Sequence, residues 1–167
     1  MDPIKQNIYD KLVAFIIADQ AHFYRYAYSY VRNPEDALDI VQSAVCKALE
    51  HYESLKNEDA VRTWFYRILT NECLTLLSMR KKLLLTEGQA QLDGSYEEKG
   101  YDFPDDLTKQ IDQLDPDVGQ IIRLRFFEEM SLKEIADIVE MNLNTVKAKL
   151  YRGLKSLKIV LQKEEEL

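Results

Sequence analysis

The chain has 167 residues, 46 % hydrophobic and 31 % charged, with a formal net charge of −7. That length suits one compact domain or two small joined ones, and the acidity excludes a protein that coats DNA by bulk charge alone. Five Gly and four Pro are too few for the turns of a sheet protein, so long helices are expected.

The start, Met1-Asp2-Pro3, lacks the cationic-then-apolar pattern of a leader, and the longest apolar run, Val13 to Ala18, is too short to cross a bilayer. Residues 4–31 contain no Gly or Pro and read as helix. Leu12, Ile16, Phe23, Ala27 and Tyr30 follow the helical period, and Asp19 and Gln20 interrupt it, so a break is expected there. The next helix has a clear start. Asn33 can cap, Pro34 suits the first helical position, and Glu35 and Asp36 suit its positive end. It should run to about Tyr52 and bury Ala37, Val41, Ala44, Val45 and Ala48.

Residues 53–59 read as a loop. A third helix is expected from Ala60 to Lys82, with Val61, Trp64, Phe65, Ile68 and Leu76 on its apolar face. Glu72 falls inside that arc without an account. From residue 86 the composition changes: Gly88, Gly94, Gly100 and Pro104 stand among polar residues. Residues 86–117 hold ten acids against Lys99 and Lys109, a net charge of −8 that accounts for the acidity of the whole chain. The chain therefore reads as all-α: a helical domain over 1–82, a flexible acidic linker over 83–103, and a second helical domain over 104–167.

In the last part, Asp115-Pro116 opens a helix ending near Glu129. Ser131-Leu-Lys-Glu134 is a capping box opening a helix to Val139. A turn over Glu140 to Leu143 leads to a long helix from Asn144 to about Leu161. Two helices joined by so short a turn form a helix-turn-helix. In the second, Val146, Leu150, Leu154, Leu157 and Leu161 make a buried stripe, which turns Lys147, Ala148, Lys149, Tyr151, Arg152, Lys155 and Lys158 outward. Residues 143–160 hold five cations and no acid. Cations that grip phosphates around small or flat side chains suit reading of the major groove, and the first turn, Asn144 and Thr145, can offer amides and hydroxyls to a phosphate. Glu140 stands where such turns often use Gly, which implies strain or an altered helix crossing.

These residues resemble the extracytoplasmic-function sigma factors of bacteria. Pro116 to Leu157 looks like sigma region 4, with Ser131-Leu-Lys-Glu-Ile-Ala-Asp-Ile-Val139 as the first helix of the motif and Asn144-Thr-Val-Lys-Ala-Lys-Leu-Tyr-Arg152 as the promoter-reading helix. Tyr24-Arg-Tyr-Ala-Tyr-Ser-Tyr30, Asn33-Pro-Glu-Asp-Ala37, Asp39-Ile-Val-Gln42 and Trp64-Phe-Tyr-Arg-Ile68 look like region 2.

The resemblance implies a factor that directs core RNA polymerase to promoters through their −10 and −35 elements. Asp39, Val41 and Gln42 would bind the clamp helices of the polymerase, Asp39 and Gln42 lying side by side on one exposed helix face. The loop 53–62, with Asn57, would catch a flipped −10 base. Arg62, Thr63, Tyr66, Arg67, Thr70 and Asn71, turned away from the apolar side of the third helix, would meet unstacked single-stranded DNA. Asn144, Thr145, Lys147, Ala148, Lys149, Tyr151, Arg152 and Lys155 would contact the −35 duplex, with Arg125 adding a phosphate contact. Family members are usually restrained by an anti-sigma factor, often membrane-anchored. One departure is that Leu74 to Lys82 is less basic than the Arg-dense end usual in the family, so duplex contacts are not expected there.

Two other readings compete: an ordinary helix-turn-helix regulator with an N-terminal sensing domain, and a helical adaptor that binds only protein. The first treats Asp39-x-Val-Gln42 and the aromatic third helix as coincidence, and the second leaves the acid-free basic stripe of the last helix unexplained. An enzyme is not expected, because His22 and His51 lack catalytic partners by spacing and there is no Gly-rich phosphate loop. No cofactor or metal is expected. Cys46 and Cys73 have no zinc-like spacing and suit a reducing cytoplasm, without membrane insertion.

Overall fold

The computed structural model describes residues 2–87 and 105–165, and among them all regular secondary structure is helical. The expected linker lies for the most part outside the described residues. Its first positions, 83–87, are helical. The chain divides into two compact units, Met1–Lys99 and Gly100–Leu167.

The first unit holds α1 (Pro3–Ala18), α2 (Gln20–Val31), α3 (Pro34–Glu50) and α4 (Val61–Glu87). The break between α1 and α2 falls at Asp19, whose amide still donates to Phe15 O at 3.2 Å. Arg32 ends α2 in the left-handed region, at φ 49°. Asn33 then caps α3, accepting from the Asp36 amide at 3.0 Å, with Pro34 just inside. Two 3-10 turns, Tyr52–Ser54 and Glu58–Ala60, replace the plain loop expected before α4. They are pinned to α1 by Tyr9 against the Tyr52 ring, centroids 5.1 Å apart, and by Asn7 donating to Glu58 at 3.3 Å.

The core of this unit is aromatic. Phe23 and Phe65 lie with centroids 4.4 Å apart, and Tyr66 meets both Phe23 and Tyr26 edge-on. Here α4 departs from expectation. Its buried residues are Val61, Phe65, Tyr66, Leu69, Thr70 and Cys73, while Trp64, Ile68 and Leu76 are only half-buried. The helix is thus rotated relative to the face expected from its sequence. Tyr66 and Thr70 go inside because rings and methyls pack there and the Thr70 hydroxyl is satisfied by Tyr26 Oη at 2.8 Å. Burial also pushes the Tyr26 phenol well above its usual range. Further along α4, Arg80 pairs with Asp36 and donates to Val31 O at 3.3 Å, tying the helix to the α2–α3 junction.

The second unit holds α5 (Asp105–Asp112), α6 (Pro116–Ile122), α7 (Leu132–Val139) and α8 (Leu143–Glu165). The helix expected to run to Glu129 stops being α-helical at Ile122 and continues as one wide π turn, Arg123–Phe127. The Met130 amide closes it onto Leu124 O at 3.1 Å. Buried Arg123 reaches back to Asp112 at 2.5 Å. The capping box is present in both directions, Ser131 and Glu134 exchanging bonds at 3.0 and 3.1 Å. Glu140 caps the end of α7 in the left-handed region, at φ 56°, so the missing glycine is met by backbone strain at this residue. The expected stripe is seen at Val146, Leu150 and Leu157, with Leu154 half-buried; Leu161 lies outside the residues whose side chains are described. Gly153 belongs to the same buried side. A Cβ there would stand 2.5 Å from Val118 Cγ1 and 2.9 Å from Ile122 Cδ1, so only Gly allows α8 this approach to α6.

Candidate functional site

The helix-turn-helix comes first from its caps. The capping box starts α7, Glu140 stops it, and Asn142 restarts the chain by accepting from the Asn144 amide at 2.8 Å. Asn142 is a cap that sequence reasoning did not single out, since it expects α8 to start one residue later; an Asn directly before the helical run is the available signal. Its cap takes up the Asn144 amide, one of the groups expected to face a phosphate. With Val146, Leu150 and Gly153 packed inward, Asn144, Thr145, Lys147, Ala148, Tyr151, Arg152 and Lys155 are all exposed. Tyr151 stands 66 % exposed near the middle of this face.

Lys149 differs from its neighbours. It is half-buried and bonded to the Asp117 carboxylate on α6. This bond holds the Asp117 carboxyl below its usual range, against a smaller opposing effect of burial. Arg125, on the π turn, is exposed and donates to Met130 O at 2.8 Å, so its head is already oriented by the backbone that leads into the capping box.

On α3, Asp39 and Gln42 are exposed and adjacent, as one helical turn requires. Val41 is 6 % exposed, buried as its helical spacing predicts, so it anchors the helix and does not share the outward face with Asp39 and Gln42 as the resemblance implied. Leu38, 51 % exposed beside Asp39 and Gln42, is an apolar member of this surface that periodicity alone did not single out.

On α4, Arg62, Thr63 and Arg67 are partly exposed and Asn71 is exposed. Tyr66 and Thr70, expected on the same outward side, are at 2 % and 4 % exposure and belong to the core, for the packing reason given above. Rotation of the helix brings Trp64 to the outward side instead. Asn57 is exposed and accepts from the Asp59 amide at 3.0 Å, shaping the second 3-10 turn. Between α4 and the end of α3 lies a cleft of about 270 Å3, lined by Trp64, Ile68, Asn71 and Glu72 on one side and Lys47 and His51 on the other. Glu72, without an account in the sequence, is paired with Lys47. Among the described residues no helix is long and apolar enough to cross a membrane, and no group of His, Cys, Asp and Glu could hold a metal ion.

Comparison with known proteins matches both units. The family model described as sigma-70 region 2 covers residues 16–83, and that described as sigma-70, region 4 covers residues 105–157. The RNA polymerase sigma factor SigV of Bacillus subtilis is 40 % identical over 96 % of this chain and 97 % of its own. The ECF RNA polymerase sigma factor SigW of the same organism is 27 % identical over 93 % and 91 %. Among solved structures, CnrH in complex with the cytosolic domain of CnrY aligns with a TM-score of 0.70 at 17 % identity, over 96 % of both chains. The sigma factor RpoE in complex with the anti-sigma factor NepR from Bartonella quintana aligns with a TM-score of 0.67 at 22 % identity, over 97 % of this chain and 98 % of that one.

Proposed function

This chain belongs to the sigma-70 family, in its extracytoplasmic-function branch, and we propose that its two helical units divide the work of directing core RNA polymerase to promoters. The first unit binds the polymerase through Asp39 and Gln42, with Leu38 adding apolar contact. Its α4 side, Arg62, Thr63, Arg67 and Asn71 together with Trp64 and the turn at Asn57, takes the melted −10 strand, where cations and a flat ring suit unstacked bases. The second unit lays α8 in the major groove of the −35 element. Ala148 and Tyr151 approach base edges, and Asn144, Thr145, Lys147, Arg152 and Lys155 grip phosphates. Arg125 adds a phosphate contact from the π turn. Lys149, held by Asp117, positions the helix rather than reading a base.

The observation that carries this reading is the outward face of α8: exposed cations surround Ala148 and Tyr151, and the stretch 143–160 contains no acid. A protein-only adaptor has no use for it. The factor is non-enzymatic and works in the cytoplasm beside the polymerase. The complexes of CnrH with CnrY and of RpoE with NepR support an anti-sigma partner for this chain as well.

Run-off transcription with core polymerase on a promoter library, with and without the protein, tests the function. Replacing Asp39 and Gln42 by Ala should leave folding near wild type and weaken core binding strongly. Normal core affinity in that folded double variant removes the assignment of this face. Tight, sequence-specific duplex binding by the isolated chain, without polymerase, would favour an ordinary regulator instead.

A further inference from the structure

Residues 143–160 hold five cations, and four of them, Lys147, Arg152, Lys155 and Lys158, are exposed. Lys149 is turned aside. Thr145, four residues before it, and Arg152, three after, share its side of α8 and face solvent. Lys149 itself is half-buried, its ammonium bonded to the Asp117 carboxylate in the first turn of α6. Asp117 is fixed in its turn. Its Oδ1 accepts from the Val118 amide at 2.9 Å, and its Oδ2 takes the Lys149 ammonium. The bond from Lys149 first of all, and the Val118 amide with it, outweigh the opposing effect of burial and hold this carboxyl below its usual range. It is therefore an anion at neutral pH.

We propose that Asp117 limits the grip of the second unit on duplex DNA: it masks Lys149, a cation placed to bind phosphate, and so leaves the −35 element to be held by the side chains around Ala148 and Tyr151. This inference rests on the reading of α8 as the −35 helix.

Charge balance decides what masking does. A cation that binds a phosphate releases a counterion from DNA, and this release drives sequence-independent affinity. If Lys149 left Asp117 for a phosphate, the duplex would release one counterion. The bared carboxylate, held in place by the backbone of α6, would then stand beside the same duplex and draw a cation back. The exchange gains nothing. Without a charge at position 117, the same movement of Lys149 becomes a net gain. Phosphate contacts carry no sequence information, so an unmasked Lys149 would tighten the hold on promoter and non-promoter duplex alike. Non-promoter sites greatly outnumber promoters, and the ratio of affinities weighed by site frequency is what matters. Masking Lys149 therefore keeps the second unit from being held at the wrong places.

The test uses the full chain with core RNA polymerase and measures its affinity for promoter duplexes with an intact or a scrambled −35 element, over a range of salt concentrations. Asp117→Asn, nearly isosteric and uncharged, should bind both duplexes about fivefold to tenfold more tightly at about 0.1 M salt, and its logarithmic salt slope should steepen by about 0.9, the value for one phosphate contact. Adding Lys149→Met, which keeps the apolar stem and removes the charge, should return both readings to wild type. Circular dichroism checks that each variant is folded, and Asp117→Ser, shorter and also uncharged, takes the place of Asp117→Asn if that one is not. A folded variant uncharged at 117 that binds no more tightly than wild type overturns the proposal, and so does a gain that persists once Lys149 is replaced. Lys155→Ala tests the reading beneath. If it weakens binding while the change at 117 does not strengthen it, α8 stays on the −35 element and only the masking fails. If neither variant changes binding, the −35 reading fails and takes the proposal with it.

Discussion

Tyr26 Oη lies 2.8 Å from Thr70 Oγ1, a buried hydrogen bond joining α2 to α4 at the centre of the N-terminal unit. It lies on the buried side of α4, with Phe65, Tyr66 and Leu69, while Arg67 and Asn71 stay at the surface. Thr70→Val keeps the shape and removes the bond, leaving a phenol to rely on Tyr30 Oη at 3.1 Å. The expected cost is about 1 kcal/mol of stability, seen through the fluorescence of Trp64, the single tryptophan of the chain. Affinity of the folded variant for a −10 strand should not change. Lost DNA binding at unchanged stability would place Thr70 on the surface after all.

Gly153 is the point of closest approach between α8 and α6. Gly153→Ala gains about 1 kcal/mol in helix propensity. It also drives a Cβ to within 2.5 Å of Val118 Cγ1, and such overpacking costs about 1–3 kcal/mol. The second effect wins, so amide hydrogen exchange in α6 and α8 should speed up while the Trp64-reported transition stays in place. Slower exchange would mean that the two helices part easily.

Asp117 is held below the ordinary aspartate value of about 3.9, first of all by the bond from Lys149. The sign follows from linkage: a carboxyl with a depressed folded pKa stabilises the fold above its unfolded value and loses that contribution as pH falls through the folded one. Wild type should therefore resist urea better than Asp117→Asn at pH 7, and the gap should narrow as pH drops below about 4. A gap unchanged with pH would show that the pair does not stabilise the fold.

Tyr151 and Lys155 share the exposed face of α8 and should fail differently. Lys155→Ala should weaken promoter binding about evenly across −35 sequences and reduce its salt dependence, as a phosphate contact does. Tyr151→Ala should change which −35 sequences are used, by roughly 1–3 kcal/mol at the affected base pair. Binding of the polymerase complex to a −35 variant panel separates the two, and an unchanged sequence preference in Tyr151→Ala would remove its base-reading role.

Helices and their ends were legible because their causes are local. Asn33-Pro34, the interruption at Asp19 and the Ser131–Glu134 box each act within a few residues, and the stripe of Val146, Leu150 and Leu157 needed only the helical period to show its buried side. The order of region 2-like and region 4-like segments lay in the sequence too, and with it the family. Tertiary structure decided the rest, wherever a side chain can be satisfied in more than one place. Tyr66 and Thr70 read as outward because they carry polar tips, yet the partner that lets Thr70 go inside is Tyr26, 44 positions away. Lys149 read as one more cation of a basic face until Asp117, 32 positions away, claimed it. Glu72 had no account within α4 because its counter-charge, Lys47, stands on α3. Periodicity specifies which residues share a side of a helix, but where that helix turns its sides depends on hydrogen-bond and charge partners that only the packed fold brings into reach.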